Sequence, residues 1–124
     1  MKQFLLTLFG ICFSFMIWAQ KAPVKFKKEK FSFGKIALNK PVTHIFKFTN
    51  NGTKPLIIQD AVAQCGCTTP KFTKAAIAKG KTESIEVTFN AASAGSFTKI
   101  VTVTFKGYKE PTILTIEGEV NSSK

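Results

Sequence analysis

Apolar side chains recur at every second position along most of this sequence. Between positions 42 and 50, Val42, His44, Phe46 and Phe48 share one face of an extended chain, and the intervening residues occupy the other face. The same alternation returns in three later segments. A period of two is typical of β-strands with one buried face.

Glycine- and asparagine-rich turns divide the chain into short strands, and no helical stripe of useful length is present. Seven strands are predicted, near 24–28, 31–37, 42–50, 55–63, 83–90, 97–106 and 112–120. Residues 71–79 are predicted to be an irregular loop. Since short strands cannot bury an apolar face alone, two sheets must pack together. The side chains expected between them are Phe33, Phe46, Phe48, Leu56, Ile58, Ile85, Val87, Phe89, Val101, Val103, Phe105 and Ile116. The sequence therefore predicts an all-β fold, a single immunoglobulin-like antiparallel β-sandwich of about seven strands.

The first 19 residues have the pattern of an export signal. A lysine at position 2 precedes an uncharged stretch from Phe4 to Trp18, and Ala19 offers a small residue at a cleavage position. We expect a signal peptide at 1–19, an N-terminal arm with the first strand at 20–28, the immunoglobulin-like domain at 29–120 and a tail at 121–124. The protein should be exported, to the periplasm or beyond, with no transmembrane helix in the mature chain.

The chain is strongly basic, with a formal net charge of +11 over 124 residues. All 18 basic residues are lysine, and arginine, which reads guanine edges and phosphates with two parallel hydrogen bonds, is absent. Nucleic acid is therefore not the expected partner. A dense group follows the cysteines and is the candidate basic loop for an acidic partner, an anionic glycan or a lipid headgroup. It consists of Lys71, Lys74, Lys79 and Lys81.

Cys65 and Cys67, separated by Gly66, are the only cysteines left once the signal is removed. In a straight strand their Cα atoms would lie roughly 6.5–7 Å apart, so a disulfide requires Gly66 to bend the chain. Three interpretations remain open: a bend or local bridge that shapes the loop, redox or metal chemistry, and linkage to a partner. Thiolates suit Cu(I), or zinc with further donors. His44, the only imidazole, is a candidate donor, although its position beside Phe46 is typical of a packed strand histidine.

Catalytic arrangements are otherwise missing from the sequence. The acidic residues are scattered over strand exteriors and turns, and neither a glycine-rich phosphate loop nor a nucleophile elbow is present. The protein is therefore not expected to be an enzyme, and no cofactor is predicted beyond the possible Cu(I) or zinc ion at the cysteines.

Five stretches together carry a resemblance to a known family. They are Phe31-Ser32-Phe33-Gly34-Lys35-Ile36, His44-Ile45-Phe46-Lys47-Phe48-Thr49-Asn50-Asn51-Gly52, Pro55-Leu56-Ile57-Ile58, Cys65-Gly66-Cys67-Thr68 and Ile85-Glu86-Val87-Thr88-Phe89. Over about residues 29–120 the chain resembles the bacterial family called domain of unknown function 1573. The C-G-C-T element is the distinguishing part. The resemblance implies an exported sandwich related to PapD-like and ASH-type modules, common in Bacteroidetes, with no established activity. Lys79-Gly80 departs from the Pro-Gly that the family often has there.

These observations predict a small exported immunoglobulin-like module of the bacterial cell envelope with a binding or structural role. Its partner would be an envelope protein or polymer, held through an edge strand or through the loop that carries the cysteines. The alternative function is a thiol-redox or Cu(I)-handling protein that uses Cys65 and Cys67.

Overall fold

Eight β-strands are found in a computed structural model, which describes residues 21–122. They are β1 (Val24–Phe26), β2 (Lys30–Ala37), β3 (Val42–Asn50), β4 (Ile58–Ala63), β5 (Thr68–Lys71), β6 (Thr82–Phe89), β7 (Gly95–Phe105) and β8 (Thr112–Asn121). The predicted signal peptide, residues 1–19, lies outside the described residues. Within residues 21–122, no helix has the length and apolar character needed to cross a membrane.

The strands form two four-stranded sheets that pack face to face, which confirms the predicted all-β sandwich. Sheet 1 has the order β1-β3-β6-β5, and sheet 2 has the order β2-β8-β7-β4. The chain crosses between the sheets five times, after β1, β2, β3, β4 and β6. The crossovers after β1 and after β4 each join two edge strands, and they lie on opposite sides of the sandwich.

Phenylalanine and branched aliphatic side chains fill the space between the sheets. Phe46 and Phe48 on β3 are each 1% exposed, and the ring of Phe48 meets Phe105 edge to face, with ring centroids 5.8 Å apart. Of the side chains predicted to be inward, only Phe33 is not fully buried. Phe33 stays half-buried because β2 lies at the edge of its sheet.

One strand was not predicted. Residues 68–71 form β5, which pairs antiparallel with β6, and Pro70 lies opposite Val87. Proline argues against a strand, but here it is harmless. The N–H of Asn90 donates to the carbonyl of Cys67 (2.9 Å), so odd-numbered residues of β5 face β6 and the nitrogen of Pro70 faces outward.

The predicted antiparallel arrangement is wrong for one pair, because β2 runs parallel to β8. The register shifts between Ser32 and Lys35, where Gly34 has a positive φ of 68°. The parallel pairing follows from the crossover after β1, because the chain enters sheet 2 beside its last strand. Local alternation of side chains does not encode this choice of neighbour.

Candidate functional site

Part of β3 has no neighbouring strand on its outer side among residues 21–122. The N–H of Lys27 donates to the carbonyl of Lys47 (3.0 Å), and β1 pairs with β3 only from Phe48 to Asn50. Backbone groups of alternate residues point the same way, so those of Thr43 and Ile45 face the same side as those of Lys47. Two N–H and two C=O groups therefore line an open strand edge.

A partly exposed aromatic group lies beneath this edge. The ring of Phe31 on β2 stacks on the imidazole of His44, with centroids 3.7 Å apart and planes 10° apart. The edge of Phe46 meets the same imidazole at 4.6 Å. Phe33 packs against Phe31 edge to face at 5.0 Å. These rings are apolar surface that a further strand beside β3 would cover.

His44 belongs to this aromatic group in its neutral form. Burial lowers the pKa of its imidazole below the ordinary value of 6.5, and the positive charge of Lys28 lowers the pKa further. The sequence left His44 open as a metal ligand. In sheet 1, β6 separates β3 from β5, which follows the cysteines, so the structure does not bring His44 to Cys65 and Cys67.

Lysines surround the open edge. Lys27, Lys28 and Lys47 line a cavity of about 300 Å³ together with Phe31, His44, Ile45 and Phe46. An adjoining groove contains Lys25 and shares Lys27 and Lys47 with the cavity. Ile45 is 49% exposed on the outer face. We call this region the β3-edge site: the backbone of Thr43 and Ile45, the rings of Phe31, His44 and Phe46, and the side chains of Lys27, Lys28 and Lys47.

The two cysteines form a disulfide bond at the crossover from β4 to β5. Cys65 and Cys67 lie in the short turn between β4, at the edge of sheet 2, and β5, at the edge of sheet 1. Their Cα atoms are 5.3 Å apart, closer than an extended chain allows, because Gly66 lies in the turn. The bend that the sequence required of Gly66 is present.

A hydroxyl and a cavity accompany the disulfide. The Oγ1 atom of Thr68, a residue only 3% exposed, lies 3.9 Å from the sulfur of Cys65 and 3.7 Å from that of Cys67. Cys67 also lines a cavity of about 200 Å³ that includes Asn90 and Lys99. No acidic side chain is among the described residues that line it.

The four lysines of the candidate basic loop do not gather at the disulfide. Lys71 lies opposite Glu86 in the β5–β6 pair, and Lys74 is exposed in the connection that follows. Lys79 and Lys81 flank a turn at the opposite end of β6, where Gly80 donates its N–H to the carbonyl of Asn50. At about 3.3 Å per residue, the length of β6 places that turn roughly 23 Å from the end of β6 that pairs with Thr68.

The described part of the chain contains no cluster of three or more typical metal-ligand side chains. Among residues 21–122, no three histidine, cysteine, aspartate or glutamate side chains come together in a way that could hold an ion. In the disulfide, the two sulfurs are bonded to each other and are not thiolates.

Sequence reasoning missed the β3-edge site, because no single segment reveals that β1 ends early. Two signals were present: Ile45 is a large apolar residue in the outward phase, and lysine occupies four of the six positions from 25 to 30. Sequence reasoning also assigned Lys99 to a solvated strand face, whereas the structure places it in the cavity that Cys67 lines.

Most of the chain matches the model of a known protein family. A family model described as "Protein of unknown function (DUF1573)" matches residues 24–120. None of the curated proteins matches this chain.

Solved structures show the same fold at low sequence identity. The ASH/PapD-like domain 7 of human CEP192 superposes with a TM-score of 0.65 at 10% identity, covering 83% of this chain and 88% of that domain. A protein of unknown function from Porphyromonas gingivalis has a TM-score of 0.67 at 12% identity, covering 82% of this chain and 48% of its own. The VesB protease of Vibrio cholerae has a TM-score of 0.63 at 16% identity, with coverages of 78% and 32%. At these identities the similarity establishes a PapD-like, immunoglobulin-like fold and nothing about activity.

Proposed function

The chain belongs to the DUF1573 family of proteins of unknown function, and we propose that this member is an exported, non-enzymatic binding module of the bacterial envelope. Its ligand is an extended, acidic segment of a partner protein, which adds to sheet 1 as a strand beside β3. The observation that carries the proposal is the unpaired backbone of Thr43 and Ile45 above half-buried aromatic rings.

Strand addition satisfies the backbone groups of this edge. An added strand forms main-chain hydrogen bonds with the N–H and C=O groups of Thr43 and Ile45, which supply affinity without depending on the ligand's sequence. Alternate ligand side chains point inward, over Phe31 and His44, and burying apolar atoms there adds about 25 cal/mol per Å².

Charge determines which segments are preferred. Lys27, Lys28 and Lys47 line the cavity, and none of its described lining residues is acidic. Acidic side chains on the outward positions of the ligand would lie near these ammonium groups. Exposed charge pairs add modest affinity, but they speed association and make binding sensitive to salt. The preferred ligand thus alternates apolar and acidic residues.

Export rests on the N-terminal sequence. The charged start, the apolar stretch and Ala19 carry this part of the proposal. Protein recovered from the envelope of an expressing cell should begin at Gln20 by intact mass, and a mass that includes Met1 contradicts export with cleavage.

The binding test uses a synthetic peptide of alternating valine and glutamate and a matched peptide of alternating valine and lysine. Fluorescence anisotropy should show binding of the first only, with affinity falling as salt rises. In NMR titrations, the amides of Thr43 and Ile45 should shift most. Binding of both peptides alike, or shifts centred on β4 or β5, would overturn the proposal.

Proline variants distinguish the open edge of β3 from the open edge of β4. Ile45→Pro removes an N–H that faces the open side, so it spares the β3–β6 hydrogen bonds and should weaken peptide binding by about tenfold or more. Ala63→Pro is the matched control. Gln64 donates its N–H to Ile100 (3.0 Å), so the N–H of Ala63 faces the open side of β4. This control should bind as the wild type does, and equal weakening by both variants contradicts the site.

A further inference from the structure

We propose that the Cys65–Cys67 disulfide is a thiol–disulfide exchange site, in which a thiolate of a dithiol partner attacks the sulfur of Cys65 and the sulfur of Cys67 leaves. This function is independent of the β3-edge site. The two regions lie on opposite sides of the sandwich, since β1 and β5 are the two ends of sheet 1.

The bond is not needed to hold the strands that it joins. It closes a ring over a sequence separation of only 2, so it removes little entropy from the unfolded chain. Backbone hydrogen bonds anchor the turn on both sides: Gln64 donates to Ile100 at 3.0 Å, and Asn90 donates to Cys67 at 2.9 Å. The fold is therefore compatible with both the disulfide and the dithiol, as a reversible exchange site requires.

The disulfide is open to an incoming thiol. Both cysteines are half-buried rather than enclosed, and Gly66 between them is exposed. A methyl group at Gly66 would meet no atom within 4 Å, so the space beside the turn is empty. Thiol–disulfide exchange depends on such access to one sulfur.

The surroundings distinguish the two sulfurs. Cys67 lines the cavity that contains Lys99, and Cys65 is not among the residues that line it. The hydroxyl of Thr68 lies at similar distances from both sulfurs, so it does not distinguish them. A positively charged side chain in the same cavity favours the thiolate of Cys67. Cys67 is therefore the better leaving group, because a more stable thiolate leaves faster. The partner thiolate therefore attacks the sulfur of Cys65.

The exchange takes place in two steps. A partner thiolate forms a bond to the Cys65 sulfur as the Cys65–Cys67 bond breaks, and the electron pair of that bond goes to the Cys67 thiolate. The second partner thiol, deprotonated to thiolate, then attacks the partner sulfur of the mixed disulfide and releases the Cys65 thiolate. Both thiolates take up the protons that the partner thiols lost. The partner ends as a disulfide, oxidised by two electrons, and this protein ends as a dithiol.

The test begins with the native, oxidised protein and a synthetic peptide that carries two cysteines. Alkylation and intact mass should show reduction of the protein and oxidation of the peptide without denaturant. The thermal midpoints of the oxidised and reduced protein should agree within about 5 °C. A disulfide that stays closed until the protein is unfolded overturns the proposal, and so does a reduced protein that has lost its fold.

The direction of attack is tested with glutathione, which has one thiol, followed by rapid alkylation. Fragment-ion mass spectrometry should place glutathione on Cys65 and the alkyl group on Cys67. Lys99→Gln should slow reduction by about threefold or more, because the departing thiolate loses a neighbouring charge. Lys106→Gln, an exposed lysine just beyond the far end of β7, is the matched control and should react at the wild-type rate. Glutathione on Cys67, or equal rates for the two lysine variants, contradicts the assigned roles.

Discussion

The side-chain oxygen of Asn50 accepts the backbone N–H of Gly52 over 2.9 Å, in the turn that follows β3. The amide nitrogen of the same side chain donates to the carbonyls of Lys54 (2.9 Å) and Ile77 (3.0 Å). Asn50 has no exposed surface. The side chain of Asn50 therefore joins the turn after β3 to the segment around Ile77, which bridges Leu56. These bonds give a structural reason for the N-x-G that follows Phe46 and Phe48.

Replacing Asn50 with alanine should strongly destabilise the fold. The change leaves the carbonyl of Lys54 and the N–H of Gly52 without their partner, whereas the carbonyl of Ile77 still accepts the N–H of Leu56. Each unsatisfied buried group costs about 1–3 kcal/mol. We expect a loss of about 2 kcal/mol or more in the free energy of unfolding, measured by urea denaturation. Asn51→Ala, at an exposed neighbour, should change it by less than about 0.5 kcal/mol.

Gly52→Ala should also destabilise, for a steric reason. A Cβ at position 52 would lie 2.5 Å from the Cγ atom of Pro23, so the chain before β1 must move. Such crowding costs typically about 1–3 kcal/mol. Gly66→Ala is the matched control, because its Cβ meets nothing within 4 Å. Thermal melting of the two variants should separate them clearly, and equal melting temperatures would contradict the close approach at Gly52.

Truncating a fully buried and a half-buried phenylalanine of the β3-edge site should separate the loss of stability from the loss of binding. Phe46→Ala removes a ring that is 1% exposed and should cost about 3–5 kcal/mol, close to the whole stability of a domain of this size. Phe31→Ala removes a half-buried ring and should cost clearly less, while weakening binding of the acidic peptide. A Phe46→Ala protein that melts within a few degrees of the wild type would show that the inward face is misassigned.

Acid should weaken the fold through His44. Its pKa is lower in the folded protein than the ordinary value of 6.5, so the unfolded chain binds more protons between the two values. Stability is therefore full above about pH 6.5 and falls as the pH drops through that value. Urea midpoints at several pH values between about 7 and 5 should decline in the wild type and decline less in His44→Phe. Identical pH profiles would exclude His44 as the cause.

Thr112→Val should stabilise the protein. The hydroxyl of Thr112 is buried and has no hydrogen-bond partner among the described residues, and the residue is 1% exposed. Replacing the hydroxyl with a methyl group of similar size removes the cost of burying an unpaired polar atom, about 1–3 kcal/mol. Urea denaturation should show a higher free energy of unfolding for Thr112→Val than for the wild type. A decrease would mean that the hydroxyl has a partner, such as a bound water.

The sequence predicted what local alternation encodes, and it missed what depends on neighbours. The inward phase of β3, β6 and β7 followed from residues such as Phe46, Val87 and Val103, because burial repeats every second position. Strand β5 was missed because Pro70 is tolerated only when its nitrogen faces outward, and that depends on the register with β6. The β3-edge site depends on where β1 ends, and the separation of Lys81 from Cys67 depends on the length of β6. Neither can be deduced from a single segment.

The parallel pair of β2 and β8 governs when this chain can finish folding. Lys30 pairs with Thr115 and Ala37 pairs with Asn121. Strand β2 is thus synthesised early, but its only neighbour in the sheet is β8, which is synthesised after all the other strands. A chain that emerges with its N-terminus first, from a ribosome or from a membrane pore, cannot complete sheet 2 until residues 112–121 have also emerged. Pairing over such a sequence distance is slow, because the chain loses the entropy of closing a long loop before the stabilising contacts form. The complete sandwich therefore forms only after β8 has been synthesised, and β2 has no strand beside it in sheet 2 until then.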